Sequence, residues 1–351
     1  FKKQNMKKKS LSAKKKIHKS LLKYLKNKRI NKVFKEFHDK LNMQPKFVVA
    51  VSGGPDSLAL AFLSKCFLLK NKINPYIKFF IVDHKLRKES SREAKSLKKF
   101  LIKFDIECEI LEWKGRKPVS NIQAIARKHR YELLKKACKK YNITNLLTGH
   151  HKDDLYENFF IRMLRGSGLK GLTSFADPSV ELEDNFRIIR PLIKIQKKEL
   201  IYISKSVFNF FVKDPSNESL SFQRSRIRKL ILNLENEGLD KKKLDLTIDN
   251  LKSADLDIKI YVEENIKNNA KYLINNNKYI LNQKFFFGQG NEVIFRSFSE
   301  VLRKVSGKYY PPRGTKIKDA ISKCMFFYYK GKTAIDSKKA RDLKFTLGGC
   351  Y

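Results

Sequence analysis

The sequence contains few cysteines, and none of them is spaced for metal binding. Five cysteines are spread over 351 residues, with no C-x-x-C pair and no zinc-binding spacing. This pattern excludes a disulfide scaffold and the usual kinds of structural zinc site, and it indicates free thiols in a reducing compartment. We assign no cysteine a catalytic role.

Long apolar runs are also missing. No uninterrupted apolar stretch reaches the roughly 18 residues of a membrane-spanning helix, and no secretory signal with an apolar centre precedes the first predicted domain. A hydrophobic content of 42% is nevertheless ordinary for a globular chain with two or three cores. We therefore expect a soluble, cytoplasmic protein with no membrane partner.

Acidic residues are scarce relative to basic ones. Lysine and arginine number 77 against 35 aspartates and glutamates, which gives a formal net charge of +42. A field of this size attracts polyanions, so nucleic acid is the leading class of partner, ahead of a membrane surface. The compositional bias of an AT-rich genome is the alternative explanation for the charge alone. Nothing in the sequence indicates an oligomeric state.

Changes in composition divide the chain into four segments. Residues 1–42 are dense in lysine with apolar positions at helical spacing, and they predict a basic helical extension or, alternatively, an organelle-targeting peptide. Residues 43–235 predict the catalytic domain. Residues 236–290 predict a helical subdomain, and residues 291–351 a small mixed domain. The chain starts at Phe and stops after a Gly-Gly turn, so we expect a piece of a longer protein.

Apolar runs inside residues 43–235 predict the fold of that segment. The runs 47–51, 77–82, 106–111 and 145–148 have the length and composition of buried strands, and the stretches between them have helical periodicity. This alternation predicts an α/β fold with a doubly wound parallel sheet, followed by the helical segment and the small mixed domain.

A glycine-containing loop follows the first predicted strand, and an apolar helix follows the loop. The loop reads Ser52-Gly53-Gly54-Pro55-Asp56-Ser57. Its glycines let a phosphate approach the backbone, Pro55 suits a first helical turn, and the N–H groups of that turn form an anion site. The G-x-x-x-x-G-K-[ST] pattern is absent, which excludes an ordinary phosphate-loop NTPase. A purely structural Gly-Gly turn is the alternative.

A second polar cluster follows the fourth predicted strand, at the edge where open α/β sheets bind ligands. It reads Thr148-Gly149-His150-His151-Lys152-Asp153-Asp154-Leu155-Tyr156-Glu157. Asp154 and Glu157 share a helix face and are suited to orient a metal or an ammonium group, whereas Asp153 faces elsewhere. His150 and His151 are candidates to hold phosphate. A zinc site, or Asp153 acting only as a helix cap, are the alternatives.

These motifs carry a resemblance to known enzymes. The S-G-G-x-D-S loop resembles the pyrophosphate loop of the N-type ATP pyrophosphatases. The string G-H-H-x-D-D-x-x-E, followed by Arg165-Gly166-Ser167-Gly168-Leu169, resembles the tRNA(Ile)-lysidine synthetase family in particular. Further matches occur in family order at Val82–Arg87, Asn121, Ala126-Arg127, Arg190-Pro191-Leu192 and Asp214-Pro215-Ser216-Asn217. Gln123 and Ser225 depart from the family pattern, which usually has Glu and Asn there.

The resemblance implies an activity and a set of roles. ATP and Mg²⁺ bind at the Ser52–Ser57 loop, with Asp56 near the metal. The enzyme adenylates the carbonyl oxygen on carbon 2 of the wobble cytidine in tRNA(Ile) with a CAU anticodon, releasing pyrophosphate, and the ε-amine of free lysine then attacks carbon 2 and displaces AMP. Arg127 and Arg224 neutralise charge on the α-phosphate, and Asp154 takes the proton of the amine. His150, Asp153, Glu157 and Arg165 are placed with the substrates.

Three other functions remain as alternatives. A tRNA thiolase of the same fold would also adenylate a base, but such enzymes usually need a cysteine pair that this chain lacks. A small-molecule synthetase has little need for so basic a surface. A non-catalytic RNA-binding relative is disfavoured because Asp56, Asp154 and Glu157 are all retained.

Overall fold

The computed structural model forms two compact units, Phe1–Lys241 and Lys242–Tyr351, which we describe separately. The residues described are 2–41, 46–71, 75–87, 89–115, 122–177, 179–181, 186–212, 222–308, 311–333 and 346–347. Within this part of the chain no helix is long and apolar enough to cross a membrane.

A six-stranded sheet organises the first unit. Its strands are β1 (Lys46–Ala50), β2 (Tyr76–Asp83), β3 (Cys108–Glu112), β4 (Asn145–Leu147), β5 (Ser179–Glu181) and β6 (Arg187–Ile189). The spatial order is β3-β2-β1-β4-β6-β5, with every pair parallel except β5 and β6. The doubly wound parallel sheet expected from the sequence is confirmed.

Nine helices of the described first unit surround this sheet. They are α1 (Lys2–Lys23), α2 (Lys28–Leu41), α3 (Pro55–Lys70), α4 (Ser90–Ile102), α5 (Ile122–Lys140), α6 (Lys152–Met163), α7 (Leu169–Thr173), α8 (Lys197–Phe208) and α9 (Gln223–Asn236). Side chains of α2, α3, α4 and α8 form one core with β1 and β2, whereas α5 contributes to a smaller core on the opposite face. The sheet is therefore buried on both faces, as parallel sheets require.

The lysine-rich N-terminal helices share the larger core. Along α2 the residues Ile30, Val33, Phe34, Phe37 and Leu41 recur at helical spacing and are all buried. Apolar burial, rather than charge, therefore holds this helix against the sheet.

An ion-pair network joins α1 to the end of α4. The carboxylate of Asp105 lies 2.6 Å from Nε2 of His18 and 2.7 Å from Nζ of Lys65, and Lys14 approaches it at 3.3 Å. The Lys65 side chain is only 7% exposed, so Asp105 neutralises a buried charge on α3.

The second unit is built from three helices and a hairpin in its described part. Its elements are α10 (Lys241–Asn269), which begins at the boundary, β7 (Ala270–Leu273), β8 (Lys278–Leu281), α11 (Asn291–Ser306) and α12 (Gly314–Thr333). A core that includes Phe285, Phe298 and Ile317 holds them together. The segment 236–290, expected to be helical, contains this hairpin, in which Tyr272 pairs with Tyr279. The turn predicted at Gly348-Gly349 lies outside the described residues.

Candidate active site

The two polar loops lie side by side at one edge of the sheet. Strands β1 and β4 are parallel neighbours, with Val48 opposite Leu146 and Val49 opposite Leu147. Chain order leads from β1 to β2 and β3 on one side and then returns to β4 on the other. The carboxyl ends of β1 and β4 therefore flank the switch point of the sheet, where α/β folds bind ligands.

The loop after β1 is closed by its own serine. Ser57 Oγ accepts a hydrogen bond from the Ser52 amide at 3.1 Å and donates one to the Gly54 carbonyl at 3.0 Å. Gly53 has φ +85°, a conformation that glycine adopts without strain, and its carbonyl accepts from the Val212 amide at 2.9 Å. Pro55 begins α3, so the amide groups of that first turn face the loop, where they can bind an anion.

Gly149 allows the second loop to touch the first. A Cβ on Gly149 would lie 3.1 Å from the carbonyl carbon of Asp56 and 3.2 Å from the amide nitrogen of Ser57. Any side chain at this position would push α3 and α6 apart. The glycine of the T-G-H-H string is thus required by close backbone approach.

His151 bridges the carboxylates of the two loops. It is the N-cap of α6, and its Nδ1 accepts a hydrogen bond from the Asp153 amide. In the neutral ring the other nitrogen, Nε2, therefore carries the proton, and it lies 3.5 Å from Asp56 and 3.4 Å from Asp154. Burial disfavours a charged imidazole here, but the hydrogen bond to Asp56 and the charge of Asp154 outweigh it and raise the pKa of His151.

Asp154 is buried and surrounded by donors. Its Oδ2 accepts from the His151 amide at 3.0 Å, and Arg224 Nη1 lies 3.6 Å from Oδ1. Burial alone would raise the pKa of this carboxyl group, but the neighbouring histidine and arginine charges outweigh burial and lower it. Asp154 is therefore ionised at neutral pH.

Glu157 lies one turn further along α6 and is paired with a second arginine. Its side chain is 2% exposed and receives a hydrogen bond from Arg228 Nε at 2.5 Å, while Arg224 Nη1 is 3.9 Å away. Burial raises the pKa of Glu157 despite these arginines. Both arginines belong to α9, which packs against α6. The site thus holds two buried carboxylates facing two guanidinium groups.

His150 occupies a different environment from its neighbour. Its Nδ1 is 2.8 Å from Thr148 Oγ1, and its ring meets Phe175 edge-on at 5.2 Å. Burial lowers the pKa of His150 to about 3, and the charges of Arg127 and Arg190 act in the same direction. His150 is therefore a neutral hydrogen-bonding group at the edge of the site.

One oxygen of Asp56 is available to a cation. Oδ1 is buried and has no hydrogen-bond partner among the described residues. Among the described residues, those around Asp56 included, no group of three or more His, Cys, Asp or Glu side chains is arranged to hold a metal ion. A single carboxylate oxygen suits Mg²⁺, which usually completes its shell with water and substrate phosphates, better than it suits zinc.

The remaining predicted residues lie at the periphery. Arg127 is exposed on α5 and contacts Tyr131 of the same helix. Arg165 donates a hydrogen bond to the side chain of Gln223 at 2.8 Å. Gln223 directly precedes Arg224 in the chain. Asp153 contributes its backbone amide to the cap of α6. Ser225 is buried within α9.

Some positions singled out in the sequence are not among the described residues. Asn121, the side chain of Gln123, and Asp214–Asn217 lie outside the described residues.

Two residues in this site were not assigned from the sequence. Arg228 forms the ion pair with Glu157, and its signal was the spacing of four residues from Arg224, which places both on one face of α9. Gly149 was noted only as part of the T-G-H-H string, and no role was assigned to it. The contact that requires it joins residues 93 positions apart in the chain (149 minus 56), so local sequence could not reveal it.

Comparisons with known proteins identify the family of this chain. A family model described as the PP-loop domain matches residues 23–235. The tRNA(Ile)-lysidine synthase of Orientia tsutsugamushi (strain Boryong) is 42% identical over 187 residues, covering 53% of this chain and 41% of that protein. That of Rhodopseudomonas palustris is 40% identical over 201 residues, covering 57% of each. That of Wolbachia pipientis wMel is 30% identical over 304 residues, covering 86% of this chain and 67% of the relative.

A solved structure supports the fold. The U34-tRNA thiolase NcsA from Methanococcus maripaludis, with its 4Fe-4S cluster, superposes with a TM-score of 0.54 at 20% identity, over 64% of this chain and 78% of the thiolase. At that identity the likeness concerns architecture alone. The present chain spans about half the length of the curated relatives it matches: 41% of the Orientia protein and 57% of the Rhodopseudomonas protein. The residues matched by the PP-loop family model include every residue of the site described above. The chain therefore belongs to the PP-loop family and, within it, to the tRNA(Ile)-lysidine synthases.

Proposed function

We propose that this chain ligates lysine to carbon 2 of the wobble cytidine in tRNA(Ile) with a CAU anticodon. The observation that carries the proposal is the meeting of Asp56, from the pyrophosphate loop, with Asp154 across His151, at 3.5 and 3.4 Å. A loop that binds triphosphate thus lies beside carboxylates that can receive an ammonium group. The names of the curated relatives supply the two substrates.

The first step is adenylation of the base. The triphosphate of ATP binds the first turn of α3, where backbone amides and the hydroxyl of Ser52 can donate hydrogen bonds. The carbonyl oxygen on carbon 2 of the cytidine attacks the α-phosphorus, and the bond to the bridging oxygen breaks so that pyrophosphate leaves. Arg224 and Arg127 supply positive charge to the α-phosphate as its charge builds up. Mg²⁺, held by Asp56, would neutralise part of the triphosphate charge.

The second step joins lysine to the activated base. The ionised carboxylate of Asp154 attracts the ε-ammonium group and accepts its proton. The free amine attacks carbon 2, the bond from that carbon to the adenylated oxygen breaks, and AMP departs with the oxygen. Asp56 is the alternative proton acceptor. Because the base must leave its stack to reach this edge of the sheet, we expect an extruded wobble nucleotide.

Chemistry based on cysteine is not supported by the thiols that the structure describes. Cys66, Cys108 and Cys138 are buried, and burial raises the pKa of each thiol to about 12. Cys324 is half-buried, and burial raises its pKa as well. Such thiols are not ionised at neutral pH and are poor nucleophiles. This observation weighs against the thiolase alternative.

The proposal is tested by incubating the protein with ATP, Mg²⁺, radiolabelled lysine and a CAU-anticodon tRNA(Ile). Acid-precipitable label that survives mild alkaline deacylation is expected, because a carbon-nitrogen bond resists conditions that cleave aminoacyl esters. Asp56→Ala should abolish the label. Asp39→Ala, which removes an exposed carboxylate of α2, should retain it.

Two other outcomes are informative. Pyrophosphate release that depends on tRNA but yields no lysine label would show adenylation for a different nucleophile. Absence of both would overturn the proposal.

A further inference from the structure

A cleft rich in cations adjoins the active site at the N-terminus of α6, where Lys152 lines it. Its volume is about 370 Å³. The lining residues are Arg29, Lys32, Val33, Glu36, Lys152, Lys194, Ile195, Gln196, Lys198 and Glu199. We call this the basic cleft. Val33 and Ile195 are buried in its floor, while Lys32, Lys194 and Lys198 are exposed around it.

The two acidic residues of the basic cleft do not balance its cations. Arg29 engages Glu199 at 2.6 Å and stacks on Tyr202, so this pair is internally neutral. Glu36 is then the remaining acidic group of a lining that also contains four lysines. Such an arrangement concentrates positive potential.

Crowding of cations extends beyond the residues that line the cleft. Lys40 donates to the Pro191 carbonyl at 3.0 Å. Burial lowers the pKa of Lys40, and the charge of Lys194 lowers it further while Glu36 opposes the shift. Repulsion between these ammonium groups would be relieved by a bound anion.

The position of the cleft relates it to the catalytic residues. Lys152, which lines the cleft, follows His151 directly, and its amide donates to the Ile195 carbonyl at 2.9 Å. The first turn of α6 therefore contributes to the active site with His151 and Asp154 and to the basic cleft with Lys152. The N-terminal turn of α8 adds Gln196 and Lys198. Helix N-termini favour negatively charged ligands.

From these observations we infer that the basic cleft binds phosphodiester groups of the tRNA strand that carries the modified base. This inference rests on the proposed function, which requires a polynucleotide to enter the site beside α6. Phosphates next to an extruded nucleotide remain tied to it by the backbone, so a cationic surface on the same helix turn is suited to hold them. Phosphate contacts position the strand and do not read its sequence.

The test compares two triple variants of the full chain. Lys32→Gln, Lys194→Gln and Lys198→Gln together remove three charges from the cleft. The control removes three charges from exposed lysines of α4 and its end, through Lys95→Gln, Lys99→Gln and Lys103→Gln. Affinity for the tRNA is measured by fluorescence anisotropy across a salt series, and thermal unfolding checks that both variants are folded.

The cleft variant should bind the tRNA at least about tenfold more weakly at low salt, with a salt slope reduced by about two to three. The control should remain within about twofold of the unmodified chain. KM for the tRNA should rise while kcat at saturating tRNA stays unchanged. Glu36→Gln should tighten binding a few fold, because it removes a repulsive charge; this opposite effect cannot come from misfolding.

Several results would overturn the inference. Equal loss of affinity in both triple variants would mean a general effect of net charge. Unchanged tRNA affinity with weaker binding of ATP or inorganic phosphate would assign the cleft to a small anion. Because anisotropy needs no catalysis, a cleft effect on binding is measurable even if no lysine is transferred, and the two proposals fail separately.

Discussion

The backbone of Gly149 rests against the backbone of Asp56. A Cβ on Gly149 would come within 3.1 Å of the Asp56 carbonyl carbon and 3.2 Å of its oxygen. This contact sets the separation between the pyrophosphate loop and the first turn of α6. The distance from His151 to Asp56 depends on it.

Gly149→Ala should therefore impair the site with little effect on the rest of the fold. Backbone atoms rather than flexible side chains meet the new methyl group, so the two loops must separate by several tenths of an ångström. Misplacement on this scale commonly lowers activity about 10- to 100-fold. Pyrophosphate release measures the effect. Gly290→Ala, where an added Cβ meets nothing within 4 Å, is the control and should be nearly silent.

The ion pair of Glu157 with Arg228 makes a testable contribution to stability. Arg228→Gln leaves a carboxylate that is 2% exposed without its partner, and we expect a loss of about 3 kcal/mol in the free energy of unfolding. Adding Glu157→Gln should recover part of that loss, since burying an uncharged side chain costs less desolvation free energy than burying an unpaired carboxylate. Urea unfolding of both single variants and the double variant tests this. Lys229→Gln, an exposed neighbour, serves as control, and equal stability of all variants would contradict the pairing.

The pKa values of the two adjacent histidines should be shifted in opposite directions. The pKa of His151 is raised by Asp56 and Asp154 against the effect of burial, whereas burial lowers that of His150 to about 3. His151 should thus lose its proton above pH 6.5, and His150 should stay neutral from pH 5 to 8. The stability that His151 contributes is fully present below its unfolded pKa and is lost as pH rises through the folded one.

NMR titration of the histidine rings measures both values. The chain has only six histidines, so comparison with His151→Gln and His150→Gln identifies each signal. A His150 signal that titrates near pH 6.5 would count against the burial seen here.

Asp105 should make the first unit sensitive to acid. Burial would raise the pKa of Asp105, but hydrogen bonds from His18 and Lys65 lower it from 3.8 to about 2. A carboxyl group with a lowered pKa contributes stability above its unfolded pKa, and this contribution is lost as pH falls from 3.8 toward 2. At pH 7, Asp105→Asn should reduce the free energy of unfolding by about 2 to 4 kcal/mol, because Lys65 also loses its partner.

Urea unfolding at pH 7 and pH 3 tests the role of Asp105. The difference between Asp105→Asn and the unmodified chain should shrink at the lower pH. Asp39→Asn removes a carboxylate that is 76% exposed and should show no comparable effect at either pH. A deficit that is independent of pH would assign the loss to packing rather than to charge.

Local patterns were sufficient for β1 to β4 and for the polar loops that follow β1 and β4, whereas β5 and β6 were not predicted. The runs 47–51 and 145–148 are short and apolar because their strands are buried on both faces, and each is followed at once by its polar loop. The pairing of β4 with β1 was not readable, since β4 has three residues and carries no register signal. The N-cap was also misplaced: Asp153 was considered as a cap, but His151 fills that position, because its ring nitrogen can accept from the Asp153 amide.

The sequence alone thus determined the chemistry available to this protein. It provides a glycine loop before α3 and two carboxylates, Asp154 and Glu157, three residues apart on α6. Tertiary structure decided which groups meet. It placed His151 between Asp56 and Asp154, brought Arg224 and Arg228 to Glu157, and opened the basic cleft behind Lys152. The reason is physical: spacing along a helix or strand follows from local geometry, whereas contacts between distant segments depend on how sheets and helices pack.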